Sequence, residues 1–344
     1  MKPIIFFHNN NDYTGSTRVL ADVIAAEYAD QRVSVVAYRN GNKGLLSQLP
    51  NVNIISYWKP QRHGEDIFLV TSQLVRLQVT LIALLIGWRY MAFYINTVVP
   101  FQAALVGRLY RKHIIYHVHE KFVQRVGVVP LMEWVFNHTK AHRIFVSRYT
   151  KEQYPDNPSC TWEIKYNKLS AEYLAKVRVK PIRERKCDTI LMIASLSKLK
   201  GIFNFLDIAA LLSAYRFRLM LSSDMCSIRS FIGDHPVPSN VELIPAQSDI
   251  HPYMYDADLL LNLSIPFFWV ETFGMTILEV MAYGIPAIVP NVGGPTELIT
   301  NGYNGYCTDV TDVHLVASLI EKALQPEEYA CLVTNALSMF ERFK

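Results

Sequence analysis

Residues 258–298 read D-L-L-L-N-L-S-I-P-F-F-W-V-E-T-F-G-M-T-I-L-E-V-M-A-Y-G-I-P-A-I-V-P-N-V-G-G-P-T-E-L, and this stretch decides the fold. The apolar run Asp258–Leu263 predicts a strand buried on both faces. A helix is predicted from about Met275 to Tyr283, and Gly284 is an ordinary stop signal. A second strand is predicted over Ile285–Val289. The stretch is therefore a β-α-β unit whose helix begins on a glycine-containing loop, where unpaired N–H groups suit an anion.

The bulk composition indicates a globular chain of two domains. With 344 residues, 51% of them hydrophobic and 19% charged, the chain is long enough for two cores. Mean hydropathy is slightly positive, which raises the question of a membrane span. The best candidate, Val79–Gly87, has about nine residues where ~20 are needed, which predicts a buried helix instead.

The distribution of charge and the number of cysteines indicate which binding partners and which cellular compartment the sequence favours. Residues 1–165 carry 19 Lys and Arg against 11 Asp and Glu, and residues 166–344 carry 15 against 19. A basic first half suits phosphate groups or an anionic membrane surface, or is a solvated surface. No aromatic-rich basic patch indicates nucleic acid. The five scattered cysteines and the short apolar run after Lys2 favour a cytoplasmic protein without a signal peptide.

The first half of the chain is predicted to open a doubly wound domain. The strand Ile4–Phe7 leads into the polar loop 8–18, and a helix follows to about Tyr28, capped by Ser16 or Thr17. Gly15 is the one glycine in that loop, where the backbone would approach a ligand. There is no G-x-G-x-x-G, which counts against NAD(P) and FAD enzymes.

A second α/β unit follows a basic linker. We predict an N-terminal domain over 1–174, a linker over 175–187 and a C-terminal domain over 188–344. Strands are predicted at Thr189–Ala194 and Val241–Ile244. Between the first of these and the helix Ile202–Leu212 lies a loop that ends in Lys200-Gly201.

Residues 271–306 closely resemble the signature of glycosyltransferase family 4. The signature is a Glu, seven residues, a second Glu and then Gly-Gly-x-x-Glu, here Glu271, Glu279 and 293–297. Ala194–Gly201 resembles the phosphate-binding loop of the family. That match is weaker, and so are two others: H-V-H-E at 117–120, which resembles a His-acid pair of the first domain, and Asn167, which resembles the Asn before the linker.

The resemblance implies a fold and a chemistry. The fold is GT-B, two Rossmann-like doubly wound domains facing across a cleft. The activity is retaining transfer of a hexosyl group from a sugar nucleotide to a polysaccharide or glycolipid precursor. The acceptor would be lipid-linked or an oligosaccharide, with peripheral contact at the inner face of the plasma membrane. Asp256-Ala257-Asp258 is a D-x-D, but it precedes a buried strand, so neither a metal nor another cofactor is predicted.

The resemblance also implies roles for individual residues. Lys200 would stabilise the charge that develops on the β-phosphate, Glu271 would contact the hexosyl hydroxyls, and Glu279 would bind the ribose. His119 would act near the sugar, with His117 and Glu120 beside it as secondary candidates. The remaining donor-binding candidates lie at loop and helix starts: Gly15, Phe273, Gly274, Met275 and Thr276.

One departure from the family pattern keeps alternatives open. Ser195 stands where the family often has an arginine, so one phosphate-facing cation is missing, and Lys198 is a candidate substitute. A non-catalytic sugar-nucleotide-binding protein would fit that loss, and a GT-B sugar-nucleotide epimerase is the other alternative. Phe267, Phe268 and Trp269 either line the sugar pocket or cover the helix.

Overall fold

The chain folds into two units, each built on one parallel β-sheet. The computed structural model describes residues 3–39, 44–58, 65–121, 127–267 and 270–344. One unit extends to Tyr166, and the other begins at Asn167. Phe268 and Trp269, predicted above either to line the sugar pocket or to cover the helix, lie outside the described residues.

The first unit contains a seven-stranded sheet in the order β3-β2-β1-β4-β5-β6-β7. Its elements are β1 (Ile4–Asn11), α1 (Gly15–Glu27), β2 (Val33–Arg39), β3 (Val52–Tyr57), α2 (Glu65–Ile86), β4 (Ala92–Asn96), α3 (Phe101–Leu109), β5 (His113–Val118), α4 (Val129–His138), β6 (His142–Phe145), α5 (Arg148–Glu152) and β7 (Thr161–Ile164). The strand order reverses beside β1, so the gap between the carboxyl ends of β1 and β4 is a topological switch point, where α/β sheets bind ligands.

The second unit contains a six-stranded sheet in the order β10-β9-β8-β11-β12-β13. Its elements are α6 (Ala171–Lys176), β8 (Thr189–Ala194), α7 (Ile202–Leu211), β9 (Arg216–Leu221), α8 (Met225–Ile232), β10 (Val241–Ile244), α9 (His251–Asp256), β11 (Leu259–Leu261), α10 (Met275–Met281), β12 (Ala287–Pro290), α11 (Pro295–Leu298), β13 (Gly305–Thr308), α12 (Val313–Ala323) and α13 (Pro326–Phe340). The switch point here lies between β8 and β11. The two parallel sheets confirm the predicted α/β class.

The division between the units precedes the boundary predicted at 174. The segment after Asn167 already belongs to the second unit, and the predicted linker 175–187 is partly built into it. Arg185 is buried and donates to the carbonyl of Tyr283 at 2.7 Å and to the hydroxyl of Tyr329 at 3.0 Å. A buried guanidinium needs such partners, so this arginine fixes the segment to the domain core.

Helix α1 begins earlier than the sequence predicts. Its N-cap is Thr14, not Ser16 or Thr17. Asp12 accepts hydrogen bonds from the backbone N–H of Thr14 and from the hydroxyl of Thr17. The Thr17 hydroxyl is therefore occupied inside the first turn, and the cap position moves to the residue where the chain is still extended.

Helix α2 packs only one side against the core. Val79 and Ala83 are buried in the cluster that α2, α3 and α4 form with the sheet, whereas Leu81 and Leu85 are exposed. The prediction of a buried helix over 79–87 is therefore correct for one face and wrong for the other. In the described parts of the chain, no helix is both long and apolar enough to cross a bilayer.

Candidate functional site

The predicted donor residues gather at the switch point of the second sheet. Lys200 lies in the loop after β8, and Glu271 lies in the segment after β11, two strands that pair directly. The Lys200 Nζ is 2.7 Å from a Glu271 carboxylate oxygen and 3.4 Å from the Ser264 hydroxyl. Both side chains of the ion pair are about one-fifth exposed, at 21% and 23%. The fold thus brings together the two residues proposed for the phosphate and the sugar.

Gly201 allows the two loops to approach closely. Its φ is +73°, a left-handed backbone conformation that residues with a Cβ rarely adopt. A Cβ there would overlap the carbonyl oxygen of Leu263, and the neighbouring Ile265 N–H donates to the carbonyl of Leu199 at 2.9 Å. Glycine is therefore required by packing at this position, independently of any ligand.

The Gly-Gly turn holds the backbone of Glu271 in place. The N–H of Gly294 donates to the Glu271 carbonyl at 2.9 Å. A Cβ on Gly293 would overlap that same carbonyl oxygen, and a Cβ on Gly294 would overlap the carbonyl oxygen of Thr272. The glycine pair of the motif thus contacts and positions the backbone of the first glutamate, which lies about twenty residues earlier in the chain.

Helix α10 starts at the predicted loop. Gly274 is its N-cap, with φ +101°, and Phe273 before it is buried. Met275 and Thr276, both half-buried, form the first turn, whose N–H groups have no acceptor within the helix. Glu279 is buried in the second turn, at 5% exposure. Only the segment from Met275 onward is helical, so the interval between the two glutamates is not one continuous helix.

The carboxylates of the D-x-D sequence have structural partners. Asp256 accepts from Arg218 at 2.6 Å and from Arg216 at 3.0 Å. The buried Asp258 accepts from the backbone N–H groups of Asp188 and Thr189, which start β8. Among the described residues, no group of three His, Cys, Asp or Glu side chains is arranged to hold a metal ion.

In the first unit, a chain of hydrogen bonds connects residues at the carboxyl ends of β1, β4 and β5. His119 Nε2 is 2.9 Å from the amide oxygen of Asn96, whose amide nitrogen is 3.1 Å from His8 Nδ1. His8 Nε2 in turn is 3.0 Å from the hydroxyl of Thr17. Sequence analysis identified only His119. His8 and Asn96 were missed, although both are polar residues at the end of an apolar strand, which is the signal that would have found them.

The partners assign one proton to each ring in this chain. The amide oxygen of Asn96 only accepts, so His119 donates from Nε2 and keeps Nδ1 as its basic nitrogen. The Asn96 amide donates to His8 Nδ1, so His8 donates from Nε2 to Thr17, whose hydroxyl donates to Asp12 at 2.7 Å. Burial lowers the pKa of His8 to about 4 and also holds the pKa of His119 well below its usual range. Both rings are therefore neutral near pH 7.

The neighbours of His119 have defined contacts. The ring of His117 lies 4.3 Å from that of His119, and its Nδ1 is 2.8 Å from the Tyr94 hydroxyl. Glu120 accepts from the Val98 N–H at 2.8 Å, and burial raises the pKa of its carboxyl to about 7. His117 therefore supports the ring of His119, and Glu120 anchors the turn after β4. Gly15 begins α1, and a Cβ there would meet no atom within 4 Å, so packing does not require glycine at that position.

We expect the His8→Gln variant to flatten the pH dependence of stability. The pKa of folded His8 is about 4 and the ordinary value is 6.5, so only the unfolded chain takes up the proton between them. The contribution of His8 to the free energy of unfolding is therefore fully present above pH 6.5 and is lost as pH falls towards 4. The slope is up to about 1.4 kcal/mol per pH unit. Glu120 has the opposite effect on stability. Its raised pKa means that the folded state takes up a proton at a higher pH than the unfolded chain does, so its contribution is lost as pH rises. Denaturant unfolding of both proteins across this range isolates the His8 contribution as a difference.

The exposed His138 in α4 supplies the matched control for that experiment. The His138→Gln variant makes the same exchange at an exposed position, so it shows how much of the change in slope comes from the substitution itself. Equal slopes for wild type and His8→Gln would contradict the assignment of a neutral, buried His8.

Comparison with known proteins links the second unit to a family. Residues 176–336 match the family model described as glycosyl transferases group 1. The N-acetyl-alpha-D-glucosaminyl L-malate synthase of Bacillus anthracis is 32% identical over 114 residues, which cover 32% of this chain and 29% of that enzyme. The aligned segment thus spans less than a third of this curated relative.

Solved structures match the whole chain at low identity. The Anabaena protein HepE, solved in complex with UDP-glucose, matches with a TM-score of 0.79 at 19% identity over 100% of this chain and 95% of that one. The lipopolysaccharide outer core galactosyltransferase WaaB matches with a TM-score of 0.69 at 16% identity, again over 100% and 95%. The predicted fold of two Rossmann-like units is confirmed. The second unit carries the sequence pattern of the group 1 glycosyltransferases, and the whole chain has the fold of a solved galactosyltransferase.

Proposed function

We propose that the protein is a retaining glycosyltransferase that moves a hexosyl group from a sugar nucleotide to a saccharide acceptor. The observation that carries the proposal is the Lys200–Glu271 ion pair at the switch point of the second sheet, with Glu279 buried in the adjoining helix. The match of this region to the group 1 glycosyltransferases supports the reaction class. The UDP-glucose complex of HepE supports a UDP-sugar as the donor.

The proposed reaction breaks the bond between the sugar and the β-phosphate. Its electron pair goes to the β-phosphate oxygen, and Lys200 with the N–H groups of Met275 and Thr276 stabilises the charge that forms there. Glu271 binds the hexosyl hydroxyls, and Glu279 accepts from the ribose hydroxyls. We assign no enzymic nucleophile and no metal. The leaving phosphate takes the proton of the acceptor hydroxyl, which attacks from the same face and retains the anomeric configuration.

The acceptor side of the proposal belongs to the first unit. We propose that His119, neutral and oriented by Asn96, hydrogen-bonds the transferred sugar, and that Gly15 leaves room beside it. The acceptor is proposed to be a lipid-linked or oligosaccharide precursor of a surface polysaccharide or glycolipid, reached at the cytoplasmic face of the membrane. The WaaB likeness, to an enzyme of the lipopolysaccharide outer core, supports that acceptor class.

The test combines binding and turnover with UDP-glucose and other UDP-, GDP- and dTDP-sugars. A donor present at about a hundred times its Kd is expected to stabilise the folded protein by about 2.7 kcal/mol, visible as a higher Tm. Incubation with that donor and a saccharide acceptor is expected to release the nucleoside diphosphate. NMR of the product is expected to show the anomeric configuration of the donor.

Three other outcomes would each overturn part of the proposal. Binding without release of the nucleoside diphosphate would indicate a non-catalytic binding protein. Conversion of the donor to its epimer without an acceptor would indicate an epimerase. An inverted anomeric centre would remove the retaining mechanism and the phosphate-assisted step, while leaving the glycosyltransferase assignment in place.

A further inference from the structure

The outer face of helix α2 is apolar where a surface helix is normally polar. Leu74, Leu77, Leu81 and Leu85 are all exposed, with Leu85 at 71%, and their spacing of three or four residues places them in one stripe. Trp88, in the turn that follows, continues the stripe at 60% exposure. The opposite side of the same helix is buried in the domain core. Core packing therefore does not explain these leucines.

Helix α3 extends the same surface. Leu105 and Leu109, one turn apart, are also exposed, and α3 packs beside α2 on the same face of the sheet. Tyr110 donates to the carbonyl of Leu84 at 2.7 Å, which brings the carboxyl ends of the two helices together. Large apolar side chains exposed on two neighbouring helices are typical of interaction surfaces. We call this surface the apolar face, and it consists of Leu77, Leu81, Leu85, Trp88, Leu105 and Leu109.

Within the segment that forms the apolar face, the charged side chains are all positive. Residues 67–119 contain five Lys and Arg residues and no Asp or Glu. Arg89, Arg108 and Arg111 are exposed at the carboxyl ends of α2 and α3. The Arg89 guanidinium lies 5.2 Å from the Trp88 ring, and Lys112 donates to the Trp88 carbonyl at 3.1 Å. The cations thus border the end of the apolar stripe where its most exposed side chains lie.

We propose that the apolar face and its arginines bind the surface of an anionic phospholipid bilayer. Helices that lie in the membrane interface place leucine and tryptophan side chains at the acyl boundary and arginines at the headgroups. A tryptophan ring suits this depth, because its N–H is polar; here that N–H donates to the Leu85 carbonyl at 3.0 Å. The absence of acidic residues over 67–119 matches a negatively charged surface. This inference rests on the proposed function in one respect only, the lipid-linked acceptor, which an enzyme has to reach at a membrane.

The experiment is co-sedimentation of the full chain with vesicles, without donor or acceptor. Wild type is expected to bind phosphatidylglycerol-containing vesicles and to bind phosphatidylcholine vesicles weakly. The Leu81→Gln/Leu85→Gln variant is expected to bind both kinds of vesicle roughly thirtyfold less tightly, because two leucines no longer insert. Arg89→Gln/Arg108→Gln is expected to weaken binding to anionic vesicles alone, by roughly thirtyfold, at about fivefold for each arginine.

Matched controls lie in the second unit. Leu211 and Leu315 are exposed helical leucines, at 47% and 41%, and Leu211→Gln/Leu315→Gln is expected to bind like wild type. Arg183→Gln/Arg229→Gln removes two exposed arginines there with the same expectation. A further readout is the quenching of tryptophan fluorescence by bromine-labelled lipids. Part of this quenching is expected to be lost in the Trp88→Phe variant.

Three results would overturn this proposal. They are no binding of wild type to anionic vesicles, wild-type binding by the Leu81→Gln/Leu85→Gln variant, or a wild-type dimer that this variant converts to a monomer. The last result would identify the apolar face as a protein interface. Release of the nucleoside diphosphate is measured separately without vesicles, so loss of membrane binding and failure of the proposed transfer give different patterns.

Discussion

Replacement of Lys200 by alanine is expected to lower kcat for sugar transfer by roughly 10²–10³, the usual cost of losing one group that stabilises charge in a transition state. The charge on the β-phosphate develops as the sugar–phosphate bond breaks, so the effect is expected mainly in kcat and less in KM. Steady-state kinetics with the donor identified by binding provide the measurement. Stability is expected to change by less than about 1 kcal/mol, because the Lys200–Glu271 pair is partly exposed and water can solvate the remaining carboxylate.

Lys198 supplies the control for that variant. It lies two residues before Lys200 in the same loop, and its side chain is exposed. Lys198→Ala removes the same charge from nearly the same place and is expected to leave kcat within about threefold of wild type, as for an exposed charge screened by water. If both variants lose activity equally, the loop acts through its net charge, or Lys198 replaces the missing arginine at Ser195. Retention of activity by Lys200→Ala would refute the role of this lysine.

The second large effect is expected in stability, from Gly201→Ala. The left-handed backbone costs a residue with a Cβ about 1–2 kcal/mol. The added Cβ also overlaps the Leu263 carbonyl, and the backbone shift that relieves such a clash costs a further 1–3 kcal/mol or so. We expect a total loss of roughly 3 kcal/mol, measured as a lower midpoint of denaturant unfolding of the second unit. Activity is expected to fall as well, since the same shift moves Lys200.

Gly302 separates the two causes of that loss. Its φ of +74° is nearly the same as the +73° of Gly201, yet a Cβ there would meet no atom within 4 Å. Gly302→Ala is therefore expected to cost only the backbone term, about 1–2 kcal/mol. The difference between the two variants measures the close approach to Leu263. An equal loss in both would show that the two loops do not touch as closely as the structure places them.

Two strands have the bounds that the sequence predicts. They are β8 at Thr189–Ala194, which is largely buried, and β10 at Val241–Ile244, an edge strand that is only partly buried. Short apolar runs between turn residues are typical of both kinds of strand. Helix ends were predicted less well. Helix α1 begins after Thr14 because Thr17 is bonded to Asp12, a side-chain contact that does not show in the hydrophobic pattern.

The candidate site divides in the same way. The motif at 271–297 identified Glu271, Glu279 and the glycine pair, since these lie within one β-α-β unit and their spacing is visible in the chain. His8 and Asn96 were not identified, because they meet His119 only through the pairing of β1, β4 and β5, which brings together residues about ninety and twenty positions apart. The exposed side of α2 was missed for a related reason. An apolar run predicts burial, but which side is buried depends on the helices that pack against it.

The sequence alone determined the alternation of strands and helices, the α/β class and the residue types of the candidate site in the second unit, because hydrophobic period and glycine positions are local properties of the chain. Only the tertiary structure decided that Lys200 pairs with Glu271, that Asn96 sets the tautomer of His119, and that a row of leucines beside three arginines faces outward. These are contacts and exposures between segments far apart in the chain. The order of strands in the sheets and the packing of helices on them set these distances, and no spacing along the sequence encodes that order.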